Sequence, residues 1–206
     1  MNDFKEGTDS RDVPFKEQNS SYGTRRFDAR EDANTENSNN ENLFEWTVEH
    51  KEVALSKRSN VVSVFDVAVY IMQKLKKCTT MKLQKLLYYC QAWYLVWNEE
   101  PLFEERIEAW ANGPVVRALY QFHKGLYVIT LSDMSVGNPE KLTESQKKDI
   151  DSVLDAYGDK NSQWLVEQTH AEEPWKNARK GMTQNERGSI EITHQAMAEY
   201  YSSLHD

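Results

Sequence analysis

One apolar stripe, between Leu83 and Trp97, constrains the fold of this chain more than any other feature of its sequence. Large apolar side chains recur there at spacings of three and four residues, which places them on one side of a helix. The members are Leu83, Leu86, Leu87, Cys90, Trp93, Tyr94 and Trp97. A stripe of this width must be buried, so the helix requires partner elements on that side.

The segments around the stripe predict two consecutive helices. Ser63 can cap a helix from Val64 to about Lys77, with Asp66 well placed in its first turn. Thr79 or Thr80 then caps the helix that carries the stripe, which we expect to run to about Asn98.

The middle of the chain predicts extended structure on both sides of a short helix. Residues 102–110 alternate charged and apolar side chains. Gly113-Pro114 is interpreted as a turn with proline at the first position of a helix that ends before Gly125. Residues 127–131 have the composition of a strand, which we expect to pair with residues 102–110.

The C-terminal third predicts further helices. Thr143 and Gln146 form a capping box for a helix that ends at Gly158. Ser162, Pro174 and Thr193 are predicted to open three more. The fold class is therefore mainly α, a compact multi-helix domain with a small β-hairpin.

Composition divides the chain into two parts. Residues 1–58 are predicted to be a disordered, acidic and polar N-terminal extension. Residues 1 to about 42 offer too little apolar area to offset about 1–2 kcal/mol per residue of backbone ordering, whereas residues 43–48 cluster apolar side chains that could dock on the domain or on a partner. Residues 59–206 are predicted to form the helical domain. Within the extension, Phe44 and Trp46 are candidate partner-binding anchors, since interface energy concentrates in buried aromatic side chains. The alternative is a tail that only keeps the protein soluble.

A local run of cations stands out in a chain of net charge −8. It comprises Lys74, Lys76, Lys77, Lys82 and Lys85. One interpretation is a solvated helix face; the other is a surface that meets an acidic partner, with Lys74, Lys77, Lys82 and Lys85 as candidate partner-binding residues. The overall negative charge makes nucleic-acid binding an unfavoured function.

The sequence predicts neither an enzyme nor a cofactor site. A phosphate-binding loop, a zinc-ligand pattern and a nucleophile elbow are all missing from it. His170 with Glu172 and Glu173, and with His123 as a further member, is the one candidate metal or acid–base group; the favoured alternative is a histidine that closes a helix. Trp110, Trp164 and Trp175 are expected to pack in the core rather than to stack on bases.

The cysteines and apolar segments indicate a cytoplasmic protein. Two cysteines, Cys78 and Cys90, are too few for a disulfide framework. Cys90 lies on the apolar stripe, where a free thiol behaves as a small apolar side chain, and free thiols fit a reducing compartment. The N-terminus lacks the pattern of a signal peptide, and no apolar run is long enough to span a membrane.

Four sequence blocks, in this order, resemble the Panacea domain family, which is also described as SocA-like or GepA-like and phage-associated. The blocks are residues 64–71, 82–89, 108–116 and 169–175. The resemblance extends over roughly residues 61–204. Asn112 is a departure, because an aromatic residue is common before the Gly-Pro pair in the family.

The resemblance implies an antitoxin that neutralises a toxin encoded by an adjacent gene by binding it directly. SocA-like members instead act as adaptors that deliver a toxin to the ClpXP protease. The family has no known catalytic residues, so the resemblance supplies none for this chain. A DNA-binding autoregulator is the remaining, less favoured interpretation.

Overall fold

A computed structural model describes residues 61–183 and 185–204. Seven α-helices and four short strands occur in these ranges, so the prediction of a mainly helical fold with a small hairpin is confirmed. The helices are α1 (Val64–Leu75), α2 (Thr80–Asn98), α3 (Arg117–His123), α4 (Glu144–Tyr157), α5 (Ser162–Ala171), α6 (Glu173–Ala178) and α7 (His194–Ser202). The strands are β1 (Lys77–Thr79), β2 (Ile107–Trp110), β3 (Gly113–Val116) and β4 (Val128–Thr130). The predicted extension 1–58, with Phe44 and Trp46, lies outside the described residues.

Helix α1 begins with the predicted cap. The Ser63 hydroxyl accepts a hydrogen bond from the Asp66 amide, and the Asp66 carboxylate accepts one from the Ser63 amide. The helix ends at Leu75, two residues before the predicted end, because Lys76 adopts a φ of +63°. Residues 77–79 therefore leave the helix and form β1.

Helix α2 is the central element, and its predicted bounds are confirmed. The Thr79 hydroxyl caps it by accepting from the Lys82 amide, and it ends at Asn98. Leu83, Leu86 and Leu87 are completely buried. Helices α1, α4, α5 and α7 all pack against α2. Residues 83–92 are therefore buried on every side of the helix and not only along the predicted stripe, whereas Trp97 of that stripe is 39% exposed.

The Gly-Pro pair forms a strand rather than the start of a helix, so that prediction was wrong. Strands β2 and β3 form an antiparallel hairpin in which Ala109 pairs with Pro114 and Trp110 with Gly113. Helix α3 begins three residues later, at Arg117. The fixed φ of proline suits a strand as well as a first helical turn, so contacts with other elements decide between the two.

Strand β4 occurs where the sequence predicts it but has a different partner. It pairs with β1, with Cys78 opposite Ile129, and not with residues 102–110. The predicted pairing was wrong because β1 was assigned to the end of the preceding helix. The two strand pairs are thus separate two-stranded sheets.

The helices of the C-terminal third follow the sequence closely. Thr143 and Gln146 form the predicted capping box, and α4 ends at Gly158. Asn161, not Ser162, caps α5, because its side chain accepts from the Trp164 amide. Pro174 lies within the first two positions of α6 and Thr193 caps α7, both as predicted. None of the described helices is long and apolar enough to cross a membrane.

Candidate functional site

The β2–β3 hairpin is held from one side by a glutamine of α2. The buried Gln84 side chain accepts a hydrogen bond from the Val116 amide at 2.8 Å and donates one to His123 Nε2 at 2.9 Å. The imidazole of His123 therefore accepts at Nε2 and is neutral. Burial also lowers its pKa, which agrees with this assignment.

Lys85, the next residue of α2, lies in the interior. Its ammonium donates to the Pro114 carbonyl at 2.9 Å, and the side chain is completely buried. The described residues supply it with no carboxylate partner. Burial therefore lowers the pKa of Lys85 to about 7, because desolvation disfavours the charged form.

Gly113 allows Lys85 to approach the hairpin. Its φ is +96°, a conformation that favours glycine. A β-carbon at this position would lie 2.6 Å from Lys85 Cε and 2.9 Å from Thr169 Oγ1. Glycine is therefore required at position 113 by a close contact among α2, β3 and α5.

Helix α6 holds the hairpin from the other side. Trp175 Nε1 donates to the Trp110 carbonyl at 2.9 Å, and Arg179 Nη1 donates to the Ala109 carbonyl at 3.0 Å. The imidazole of His170 is stacked on the Trp175 ring at a centroid distance of 4.0 Å. Two carbonyl groups of β2 thereby accept hydrogen bonds from side chains of α6 and of the residue that follows it.

Glu172 joins α2 to α7. Its two carboxylate oxygens accept hydrogen bonds from Tyr89 at 3.0 Å and from Tyr201 at 2.8 Å. Burial raises the pKa of Glu172 to about 7, against the opposing effect of the tyrosine hydroxyls. The carboxyl group thus connects two helices that are distant in sequence.

Three of the sequence blocks meet in one place, which we call the hairpin centre. It consists of Gln84, Lys85, Gly113, Trp175 and Arg179 around the β2–β3 hairpin. The block 82–89 supplies the α2 side, the block 108–116 the hairpin, and the block 169–175 most of the α6 side. All five residues are buried, and the four polar side chains bond to backbone groups of the hairpin, so the hairpin centre stabilises the fold.

The predicted lysine surface does not exist as one patch in the described structure. Lys85 is buried. Lys82 Nζ donates to the Gly158 carbonyl at 2.6 Å, at the C-terminal end of α4, where a positive charge stabilises the helix. Lys74 Nζ lies 2.8 Å from Asp151 Oδ2. Only Lys76 and Lys77 of the five are exposed with no ion pair among the described residues. The Lys85 side chain is only 1% exposed, and its role as a partner-binding residue stays a prediction.

The residues of the candidate metal site have separate surroundings. His123 contacts Gln84, Glu172 contacts two tyrosines, and Glu173 is exposed. His170 lies in the last turn of α5, stacked on Trp175, and its pKa is lowered, first by burial and then by the nearby Lys85. Within the described ranges, no group of three or more histidine, cysteine or carboxylate side chains is arranged to hold a metal ion.

The tryptophans are packed, but to different extents. Trp175 is buried, whereas Trp110 and Trp164 are half-buried. The ring of Trp110 meets Tyr120 edge to face at 4.6 Å, and its Nε1 donates to Glu108 at 2.8 Å. Core packing therefore describes Trp175 best, and Trp110 also forms part of a surface.

That surface is a groove beside the hairpin, which the sequence did not predict. The hairpin groove has a volume of about 830 Å³ and lies between the start of α2, the hairpin, α3 and residues 185–189. Its charged lining consists of Glu108, Arg117, Lys124 and Arg187, with Lys85 at its inner wall. These residues lie in four separate segments, so no local pattern could have grouped them.

The groove offers charge and shape rather than an activated nucleophile. The buried Glu108 carboxylate accepts from Trp110 and lies 3.6 Å from Arg117 Nη1. The two thiols lie elsewhere: burial raises the pKa of Cys78 to about 11, and burial also raises that of Cys90. Both pKa shifts disfavour the thiolate, which is the nucleophilic form.

The chain folds into a mainly helical domain in which a buried β-hairpin is held between the central helix α2 and helix α6. Residues 83–176 match the model of the family described as antitoxin SocA-like, Panacea domain. The chain resembles this Panacea domain family over the matched range. That range contains all of the hairpin centre except Arg179. The block 64–71 lies before the start of the range. No curated protein and no solved structure matches the chain. The family match supports an antitoxin role.

Proposed function

We propose that this protein is an antitoxin that neutralises a toxin encoded by an adjacent gene through direct protein–protein binding. The observation that carries the proposal is the family match together with the position of the matched motifs. The motif residues are engaged in the hairpin centre, where they maintain the fold. A domain of this kind acts through its surface, so we propose binding without catalysis.

Co-expression with the product of the neighbouring gene tests this proposal. We expect the product alone to stop growth, and co-expression of this chain to restore it. The two proteins should then purify as a stoichiometric complex. A toxic product that this chain neither rescues nor binds would contradict the proposal.

A proteolytic adaptor is the second candidate, and the SocA-like description of the family favours it over a DNA-binding role. An adaptor would deliver the toxin to ClpXP, so rescue would require the protease and the toxin would disappear. Direct neutralisation predicts that rescue persists in cells without ClpXP. Measuring toxin abundance in both strains separates the two mechanisms.

A DNA-binding autoregulator is less well supported. Of the five lysines that such a regulator would use to contact phosphates, Lys85 lies in the interior, Lys74 in an ion pair and Lys82 at a helix end. The net charge of −8 also opposes binding to phosphates. The proposed contribution of Phe44 and Trp46 to partner choice stays a prediction, because both residues lie outside the described structure.

A further inference from the structure

We propose that the hairpin groove is the docking site for an acidic segment of the neutralised protein, one that carries an apolar side chain. This inference rests on the proposed function, because it assigns the surface through which an antitoxin would act. It is carried by the unpaired charges of the groove, by the apolar residues at its edge and by the rigidity of its walls.

The groove is a local positive region on an acidic protein. Lys124 and Arg187 are exposed at its edge, and neither forms an ion pair with any described residue. Arg117 is also exposed and lies 3.6 Å from Glu108. The chain as a whole has a net charge of −8, so three cations on one groove mark where an acidic partner is attracted.

Apolar side chains adjoin these cations. Met81 and Leu126 line the groove and are 37% and 46% exposed. Tyr127, the next residue, is 81% exposed. Exposed apolar and aromatic residues beside a charged rim are typical of interface centres, so the partner segment should bring an apolar anchor as well as carboxylates.

The walls of the groove are held in place before any partner arrives. Gln84 fixes both Val116 and His123, and Lys85 fixes the Pro114 carbonyl. A preformed site loses little conformational entropy on binding, which favours affinity. The hairpin centre thereby supports a surface that lies directly beside it.

Two other occupants fit the groove less well. A second copy of this chain would also carry a charge of −8, so overall repulsion opposes self-association. A nucleic acid would need more cations than this groove offers. An acidic protein segment satisfies the three cations and the apolar edge together.

Amide chemical-shift mapping on the full chain tests the site directly. The probe is a synthetic peptide of sequence Glu-Glu-Leu-Phe-Glu-Glu, and its matched control is Lys-Lys-Leu-Phe-Lys-Lys. We expect the acidic peptide to shift amides of residues 113–126 and 185–189 and the basic peptide to leave them unchanged. Shifts confined to other surfaces, or none, would overturn the proposal.

Charge-reversal variants give the quantitative test. The variant Lys124→Glu/Arg187→Glu should weaken binding of the acidic peptide at least ten-fold and remove most of its salt dependence. The control Lys148→Glu/Lys180→Glu makes the same change in net charge at exposed lysines outside the groove, and should bind as the wild type does. Equal effects of both variants would contradict the proposal, because long-range charge would then suffice.

The same variants distinguish this inference from the proposed function. If the wild type and both variants neutralise the neighbouring gene product equally, the protein is an antitoxin but the groove is not its docking site. If the wild type fails to neutralise while the peptide still binds in the groove, the proposed function fails and the site stands. An oligonucleotide that shifts the same amides would assign the groove to a nucleic acid. A groove variant that changes the oligomeric state would assign it to a second copy of this chain.

Discussion

At the scale of single residues, Gly113 and Lys85 form a tightly constrained contact. A lysine is buried with one carbonyl partner, and a glycine leaves just enough space for its stem. Burying an ammonium group is costly unless it loses its proton, so this contact adds little stability by itself. Its effect is to fix the position of the hairpin relative to α2.

Replacing Gly113 by alanine should destabilise the protein strongly. The added β-carbon would meet Lys85 Cε at 2.6 Å, and the residue would also retain a φ of +96°. We expect a loss of about 2–4 kcal/mol in the free energy of unfolding, measured by chemical denaturation. The matched control is Gly125→Ala, where φ is +93° but nothing lies within 4 Å. It should cost only about 1 kcal/mol, and equal losses would contradict the close-contact argument.

The buried lysine should make stability depend on pH. In the unfolded chain Lys85 keeps its proton up to about pH 10.5, whereas in the folded protein its pKa is about 7. Between these values the unfolded state binds more protons, so the free energy of unfolding should rise with pH, by at most about 1.4 kcal/mol per unit. From pH 7 to pH 10, the unfolding free energy of the wild type should therefore increase relative to that of Lys85→Met. Parallel curves for the two proteins would show that the ammonium is not buried.

At the scale of elements, the fold depends on the hydrogen bonds and packing that join helices α2 and α6 to the same hairpin. Caps and helix bounds followed from the sequence because they depend on neighbouring residues, as for Thr143 with Gln146 and for Thr79. The roles of Pro114 and of β1 did not, because contacts from distant segments decide them. Lys85 shows the same limit for the site: its spacing in the sequence is that of a surface lysine, and only the packing of β3 reveals its burial.

Removing one hydrogen bond between α6 and the hairpin should lower the free energy of unfolding. The variant Trp175→Phe keeps an aromatic ring but leaves the Trp110 carbonyl without its donor. We expect a loss of about 1–2 kcal/mol in unfolding free energy. The control Trp97→Phe, at a position that is 39% exposed, should change it by less than about 0.5 kcal/mol. A larger loss at Trp97 would place the stabilising contacts elsewhere.

At the scale of the whole molecule, one packing arrangement creates both the hairpin centre and the groove. Three of the motif blocks meet in the hairpin centre, and the groove beside it is lined by residues from four segments without any local signature. The fold class and the resemblance to the Panacea domain family could be predicted from the sequence. The groove could not, because it exists only after α2, the hairpin, α3 and residues 185–189 have come together.

The most direct test of the account is a titration of the purified neighbouring gene product with this purified protein, in the absence of any protease. The readout is the toxin's own activity, followed at increasing molar ratios of the two proteins. Direct neutralisation predicts that inhibition saturates at a fixed stoichiometry and accompanies a stable complex. Toxin that stays fully active at an excess of this protein, and loses activity only when ClpXP and ATP are added, would contradict neutralisation by binding.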